Sequence, residues 1–216
     1  MDKQLIQKAL DELKKQEKRK FVQSYDIVIT LKALDLKKTE NQVDFFATLN
    51  HPRTKTARIC ALVGPELKAD AEKICETVIE EKDFNQYAKD KKKTKKLAEA
   101  HTFFIAQANI MPKVASAFGK VLGPKKKMPN PKAGCIVPPK INLKPLYDKL
   151  QKLVAVVAKE RPVIQITIGT ETTPDDQIID NILVLYAQLL SHLPAEKNNI
   201  RRILLKLTMG KPVKLV

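Results

Sequence analysis

The stretch Arg58-Ile59-Cys60-Ala61-Leu62-Val63-Gly64-Pro65 marks a change in the hydrophobic pattern of the chain. Its central residues, 59–63, are continuously apolar, which is typical of a strand that is covered on both faces. Proline is favoured at the first position of a helix, so Pro65 predicts that a helix follows this strand. Further strands are expected at residues 77–79, 102–106 and 135–137, with helices between them. This alternation predicts βαβ crossovers and a small parallel sheet.

On both sides of this region, half-buried strands alternate apolar and polar residues as in an antiparallel sheet. An apolar stripe predicts an amphipathic helix over residues 3–17. The run Thr173-Pro174-Asp175-Asp176 begins another helix, because a capping residue, a proline and two acids follow one another. The antiparallel strands are expected at residues 25–31 and 43–49 as one hairpin, at 153–159 and 163–169 as a second hairpin, and at 200–208.

The two terminal segments are each about 60 residues long, which is short for an independent domain. We therefore expect the fold class to be α/β, with one discontinuous two-layer α+β domain made of residues 1–63 and 153–216. A three-layer, Rossmann-like α/β domain with a small parallel sheet, residues 64–152, interrupts it. The two connections at one point would form a hinge.

Charge points to a polyanionic partner. The 216 residues include 40 Lys and Arg against 24 Asp and Glu, a formal net charge of +16. Nucleic acid is the commonest polyanion for a basic cytosolic protein. Aromatic residues make up only 5% of the chain and Trp is absent, which argues against stacking single-stranded bases on an aromatic platform. Structured RNA, read by its backbone, 2′-hydroxyls and shape, fits better.

Other classes receive little support from the sequence. Apolar runs are far too short for a spanning helix, and the N-terminus lacks a secretory signal, so we expect a cytoplasmic protein with no membrane partner. Three cysteines, Cys60, Cys75 and Cys135, form no Cys-x-x-Cys pair and are expected to be reduced and buried. The three histidines share no metal spacing, so neither a metal site nor a cofactor is predicted.

Two short motifs concentrate the functional signal. The first, Gly123-Pro124-Lys125-Lys126-Lys127-Met128-Pro129-Asn130-Pro131-Lys132, contains no acid and no nucleophile, so it suits phosphate binding rather than catalysis. A merely solvated basic loop is the alternative.

The second motif is Lys206-Leu207-Thr208-Met209-Gly210, at a strand end. The Thr208 hydroxyl could form a hydrogen bond with a 2′-hydroxyl, and the Met209 thioether could contact a ribose or a base. Gly210 allows the backbone to approach the RNA closely. An ordinary strand end is the alternative reading.

Together, in this order and with Gly169-Thr170-Glu171 between them, the motifs resemble the L-one family of large-subunit ribosomal proteins. The turn at residues 35–41 is similar to the archaeal version. This resemblance implies a non-enzymatic structural protein of the ribosome that binds large-subunit rRNA of the mobile stalk near the tRNA exit site. It also implies help in releasing deacylated exit-site tRNA, repression of translation of its own mRNA, and a monomeric state outside the ribosome.

The resemblance assigns roles to particular residues. Lysines of the first motif are implied to contact tRNA or peripheral phosphates: Lys125, Lys126, Lys127 and Lys132. The chain departs from the family pattern at Leu207, where a small hydroxyl residue is usual, and at Lys126, where glycine is common. For Phe21, core packing is the alternative. The implied rRNA site contains Phe21, Gln23, Ser24, Gln165, Thr167, Lys206, Thr208, Met209 and Gly210.

Two rival functions and one lysine-rich segment stay open. A general basic nucleic-acid-binding protein would bind duplex DNA and rRNA equally well. An α/β enzyme acting on a phosphorylated substrate would need a glycine-rich cradle, but neither G-x-G-x-x-G nor G-x-x-x-x-G-K-[ST] occurs. Six lysines within residues 89–96 fit a solvated helix or an RNA-facing patch.

Overall fold

The chain divides into two compact units, and the first is discontinuous in sequence. A computed structural model describes residues 2–17, 19–53, 56–139 and 141–215. Unit 1 comprises Met1–Lys55 with Lys152–Val216, and unit 2 comprises Thr56–Gln151. In chain order the elements are α1 (Lys3–Lys14), β1 (Ser24–Leu31), β2 (Val43–Thr48), β3 (Ile59–Val63), α2 (Lys68–Ile74), β4 (Thr77–Glu80), α3 (Phe84–Lys89), α4 (Lys91–Ala100), β5 (Phe103–Gln107), α5 (Met111–Leu122), β6 (Ile136–Val137), α6 (Leu143–Lys152), β7 (Leu153–Ala158), β8 (Val163–Thr170), α7 (Asp175–His192), β9 (Ile200–Leu207) and β10 (Val213–Lys214).

Unit 1 contains two antiparallel sheets, one of four strands in the order β10-β9-β1-β8 and one of two strands, β2-β7. Strand β1, from the N-terminal segment, lies between β8 and β9, which both come from the C-terminal segment. Strand β2 likewise pairs with β7. Each sheet therefore needs both segments of the chain, which explains why neither segment forms a domain by itself.

Both hairpins expected from the sequence are wrong, although the strands themselves are present. Strand β1 pairs with β8 and β9 rather than with β2, and β7 pairs with β2 rather than with β8. The cause is the non-local pairing: Leu31 N–H donates to Pro162 O (2.8 Å), so the chain entering β8 already lies against β1. An alternating pattern fixes which face of a strand is buried, but not which strand lies beside it.

The core of unit 1 fills one side of the four-stranded sheet. Alternate residues of β1, including Ile27 and Ile29, are buried together with the apolar stripes of α1 and α7. On α1 this stripe ends at Leu13 and on α7 at Leu189, both fully buried. The opposite face of the sheet therefore carries the half-buried and polar residues of the strands. The predicted rRNA-site residues lie on this face, before and at the start of β1, and after the end of β9.

Unit 2 is built on a parallel sheet with the strand order β4-β3-β5-β6. All five residues of β3 are buried, as its uninterrupted apolar pattern predicts. Cys60 and Leu62 pack on the side covered by α3, α4 and α5. The mixed α/β fold class, with antiparallel sheets and a parallel sheet, is thus confirmed.

One boundary differs from the sequence-based assignment. That assignment ended the first part of the discontinuous domain at residue 63, which placed β3 in it. The structure pairs Ile59–Val63 with β4 and β5, so β3 belongs to unit 2 and the division falls after Lys55. The pairing of β3 with β4 and β5 therefore defines where the inserted unit begins. Among the described helices, none combines the length and apolar character needed to cross a bilayer.

Candidate RNA interface

The second sequence motif forms a turn that is tied to the start of β1. Thr208 N–H donates to Ser24 O (3.1 Å), and Ser24 N–H donates to Thr208 Oγ1 (3.0 Å). Thr208 is exposed, whereas Ser24 is only 9% exposed. The Thr208 hydroxyl therefore accepts one bond from Ser24 N–H and donates its proton to Ser24 O (3.4 Å), so it retains one acceptor lone pair for an external donor. Ser24 contributes mainly through its backbone.

Gln23 lies at the centre of this turn and is 1% exposed. Its Oε1 accepts from Met209 N–H (3.1 Å), and its Nε2 donates to Glu171 Oε1 (3.3 Å). Glu171 Oε2 also accepts from Gln23 N–H (2.9 Å). The proposal that Gln23 contacts RNA is therefore corrected: a buried amide with these partners positions Met209 and Glu171 instead. Glu171 was not among the predicted site residues, although it belongs to the segment that supported the resemblance.

Gly210 is held against the end of α1. A Cβ at this position would lie 2.6 Å from Gln16 Oε1 and 3.0 Å from the Cβ of Leu207. The Gln16 amide binds Lys211 on both sides, accepting from its N–H (2.8 Å) and donating to its carbonyl oxygen (3.0 Å). The missing side chain of Gly210 thus makes room for a brace from the protein itself. Nothing in the local sequence around Gln16 signals this contact.

Three large apolar side chains close in sequence to these braced residues are exposed to solvent. Phe21 is 50% exposed, Val22 52% and Met209 63%, and we call these three residues the apolar patch. Within the described ranges, the only other exposed large hydrophobic side chains are Leu5 and Ile141. Core packing, the alternative interpretation of Phe21, is therefore wrong. Apolar side chains that a protein fixes in solvent mark interaction surfaces.

Three further residues of the predicted site share the open face of the four-stranded sheet. Asp26 of β1 lies directly between Thr167 of β8 and Lys206 of β9. Thr167 Oγ1 donates to Asp26 Oδ1 (2.6 Å), so its hydroxyl proton is already used. Gln165 is exposed one pair further along the sheet, opposite Val28. Leu207, in contrast, points into the core at 3% exposure, so a polar contact at this position is replaced by packing.

The basic loop of unit 2 continues directly from the end of α5. Lys127 N–H donates to Leu122 O (3.0 Å) and Lys126 N–H to Gly123 O (2.9 Å), which is the hydrogen-bond pattern of a Schellman cap. Lys126 occupies the left-handed position of this cap with φ of 55°. Glycine is the residue that adopts this conformation without strain, so Lys126 adds charge at a position where its backbone is strained.

The four lysines of the loop differ in what they can bind. Lys127 Nζ donates to the carbonyl oxygens of Ala98 (2.6 Å) and His101 (2.7 Å), so it caps the C-terminal end of α4. Burial lowers the pKa of Lys127, and the nearby Lys125 lowers it further. Its predicted role as a phosphate contact is therefore corrected to a structural one. Lys125 forms an ion pair with Glu99 (2.8 Å), and Lys126 and Lys132 are exposed.

The carboxyl edge of the parallel sheet is where an α/β enzyme would bind a phosphorylated substrate. Here the backbone N–H of Gly64 is occupied by Gln107 Oε1 (2.9 Å), whose side chain is buried. The same edge carries acidic residues, with Glu80 at the end of β4 and Glu66 within reach of Gln107 Nε2 (3.4 Å). The filled backbone donor at Gly64 disfavours a phosphate, and the lysines beside Glu80, Lys68 and Lys82, are paired with its carboxylate. Within the described ranges, no group of three or more potential metal ligands occurs.

All three cysteines lie in unit 2, and each is free and buried. Burial raises the pKa of the Cys75 thiol and of the Cys135 thiol to about 11. The pKa of Cys60 is also raised, first by burial and then by Cys75. Thiolate formation is therefore suppressed, and these side chains act as small apolar groups of the core, as the sequence predicts.

Comparison with known proteins agrees with this geometry. Residues 13–211 match the model of the Ribosomal protein L1p/L10e family. Three archaeal proteins named large ribosomal subunit protein uL1 are similar to the chain. That of Methanocaldococcus jannaschii is 36% identical over 216 residues, 100% of this chain and 96% of the relative. That of Nanoarchaeum equitans is 39% identical over 215 residues, with 96% of this chain and 99% of the relative covered. That of Pyrococcus horikoshii is 34% identical over 216 residues, with 99% and 96% covered. The chain therefore belongs to the ribosomal protein L1p/L10e family, in its archaeal type.

Proposed function

We propose that this protein is a structural constituent of the large ribosomal subunit that binds folded stalk rRNA through unit 1. Membership in a ribosomal protein family makes it a structural protein rather than an enzyme, with a cytoplasmic, ribosome-bound location. The observation that carries the proposal is the apolar patch of Phe21, Val22 and Met209, exposed beside the braced turn of Thr208. A surface of this kind would be costly in a protein without a partner.

The patch suits RNA because its apolar and polar groups are close together. Phe21 and Met209 offer faces for an unstacked base or a ribose, and the exposed Thr208 hydroxyl can accept from a 2′-hydroxyl. Lys206, on the adjoining sheet face, adds one charge for a phosphate. Because Gln16 and Gln23 fix the turn from within, little conformational entropy is lost when RNA binds. Such preorganisation favours one RNA shape over others.

The finer activities implied by the family resemblance belong to the same proposal. The exposed loop lysines Lys126 and Lys132 would contact the phosphates of exit-site tRNA and so assist the release of deacylated tRNA. Repression of the protein's own mRNA would use the apolar patch, on an mRNA structure shaped like the rRNA site. The protein would be a monomer outside the ribosome. A general basic binder is less well supported, because charge alone gives no reason for an exposed Met209.

Competition binding tests the proposal. Labelled stalk rRNA is competed with the protein's own mRNA leader and with duplex DNA of similar length. We expect rRNA to win over DNA, and Phe21→Ala and Met209→Ala each to weaken rRNA binding about tenfold or more, as the loss of one stacking contact does. Leu5→Ala is the matched control, because Leu5 is a 45% exposed apolar side chain on α1. Equal affinity for rRNA and DNA, or equal effects of all three variants, would refute the proposal.

A further inference from the structure

Helix α4 in unit 2 carries charge against its own stability. Lysines at positions 91, 92, 93, 95 and 96 give like-charged pairs three and four residues apart, which destabilise a helix. They also crowd the N-terminal half, where the helix dipole disfavours cations. Ten residues with this composition form a poor helix in isolation. Something other than the propensity of this segment must hold α4 in place.

The rest of unit 2 supplies that support at both ends of α4. Asp90 Oδ1 accepts from the N–H groups of Lys92 (3.0 Å) and Lys93 (3.1 Å), which caps the N-terminus. The buried Thr94 hydroxyl donates to Tyr87 O (2.8 Å). Lys127, from the basic loop, caps the C-terminal carbonyls. The fold therefore stabilises a lysine-rich helix that a neutral sequence would form more readily, which is typical of a functional surface.

Three of the five lysines share one face of α4. Lys92, Lys95, Lys96 and Glu99 stand at i, i+3, i+4 and i+7, opposite the buried Thr94 and Ala98, so they form a continuous exposed row. It extends over about 10 Å along the helix. We call Lys92, Lys95 and Lys96 the basic stripe.

The single acid in this row does not cancel its charge. Glu99 is paired with Lys125 (2.8 Å), and hydrogen bonding to Lys125 lowers the pKa of the Glu99 carboxyl. The pair is neutral, so the basic stripe keeps its positive charge. The Glu99–Lys125 contact also joins the stripe to the loop that carries the exposed Lys126.

The chemistry of the basic stripe selects a phosphate backbone rather than bases. Single-strand binding surfaces combine positive charge with exposed aromatic rings on which bases stack. The aromatic rings of this part of unit 2 are used inside: Tyr87 and Phe118 pack against each other with ring centroids 5.7 Å apart. Ammonium groups alone attract phosphates without regard to sequence. A regular row of phosphates, as in double-stranded RNA, is the ligand that fits.

We infer that the basic stripe is a second RNA-binding surface, which takes the phosphate backbone of a double-stranded RNA segment independently of its sequence. The inference rests on the proposed ribosomal function for its choice of RNA, and it differs from that function in residues and in mode. Unit 1 would recognise one RNA shape, whereas the basic stripe would add affinity for any duplex. Its contribution should therefore be strongly dependent on salt.

The test is the salt dependence of binding by the full chain to a 20-base-pair RNA duplex of arbitrary sequence. In the variant Lys92→Gln/Lys95→Gln/Lys96→Gln, the slope of log K against log salt concentration should fall in magnitude by about 2 to 3, with about tenfold weaker binding at low salt. The control variant Lys3→Gln/Lys8→Gln/Lys197→Gln removes the same charge from exposed lysines of unit 1. It should change the slope by less than about 1.

The outcomes separate this inference from the proposed function. Equal slope changes in the two variants would overturn the basic stripe, because net charge alone would then explain binding. An unchanged slope in the stripe variant would overturn it as well, as would equal losses for single-stranded and double-stranded RNA. Preference of the wild-type protein for stalk rRNA over the arbitrary duplex is measured in parallel. If the wild-type protein shows no such preference, the proposed function is refuted. The salt slopes of the two variants still decide whether the basic stripe binds RNA.

Discussion

The turn after β9 in unit 1 and the loop after α5 in unit 2 use their polar groups in different ways. In unit 1, the amides of Gln16 and Gln23 bind the backbone of the turn, and the residue left in solvent is Met209. In unit 2, one lysine, Lys127, binds the end of a helix, and the neighbouring Lys126 is left in solvent. Both segments are braced from within, but the turn in unit 1 exposes an apolar side chain and the loop in unit 2 exposes a positively charged one.

The difference indicates two kinds of recognition in one chain. A fixed apolar surface beside a hydroxyl group discriminates between RNA shapes, because its contacts form only with a complementary partner. Exposed ammonium groups attract any phosphate backbone and lose their effect as salt rises. Unit 1 therefore has the features of a specific site, and unit 2 those of a general one.

The brace in unit 1 is tested most strongly by Gln23→Leu. Leucine fills a similar volume but leaves Met209 N–H without its partner and removes one of the two hydrogen bonds to the Glu171 carboxylate. A buried group left unsatisfied costs about 1–3 kcal/mol, so the free energy of unfolding should fall by that amount in urea titrations. Gln165→Leu, the same change at an exposed position of unit 1, should alter it by less than about 0.5 kcal/mol. Similar losses in both variants would show that Gln23 is not a brace.

The corresponding brace in unit 2 is tested by Lys127→Met. This change removes the ammonium from the carbonyl oxygens of Ala98 and His101 and should destabilise unit 2 by about 1–2 kcal/mol. The readout is alkylation of the three cysteines, which all lie in unit 2 and react when it opens. The alkylation rate should rise about fivefold or more. Lys126→Met is the matched control and should leave the rate unchanged; a rise in both would assign the effect to charge rather than to the cap.

A smaller effect in the opposite direction is expected at Lys126. Its φ of 55° is strained for any residue with a side chain, so Lys126→Gly should stabilise unit 2 by about 0.5–1 kcal/mol. Alkylation of the cysteines should then be slower than in the wild-type protein. Lys125→Gly, one residue earlier and without the positive φ, should give no such gain. If both glycine variants destabilise unit 2, the cap is not strained.

Local sequence predicted the elements better than their partners. The uninterrupted apolar run of β3 and the first turn of α7 were correctly placed, because burial on two faces and helix starts leave local patterns. Pairing of β1 with β8 and β9 was missed, since β8 begins more than 130 residues after β1 and alternation is the same whichever strand lies beside it. The boundary was expected after residue 63, whereas the structure divides the chain after Lys55 because β3 pairs with β4 and β5.

The site shows the same limit at the level of single residues. Thr208 and Met209 are hydrogen-bonded to Ser24 and Gln23, four residues that the resemblance assigns to one site. Which side chain faces solvent could not be predicted, because the choice depends on distant partners. Gln23 is buried by Glu171 and Met209, and Lys127 is bound by carbonyls of α4. Gln16 was missed altogether, since its partner Lys211 lies 195 residues away.

The most direct test of the contrast is RNA competition with unit 1 alone. Residues 2–55 are joined to 152–215 by a short linker, which the fold permits because Leu49 N–H bonds to Lys152 O (2.9 Å). Folding is verified by cooperative urea unfolding. We expect this shortened chain still to prefer stalk rRNA over an unrelated RNA, with a weaker salt dependence than the full chain. A shortened chain that folds but binds both RNAs equally would contradict this expectation.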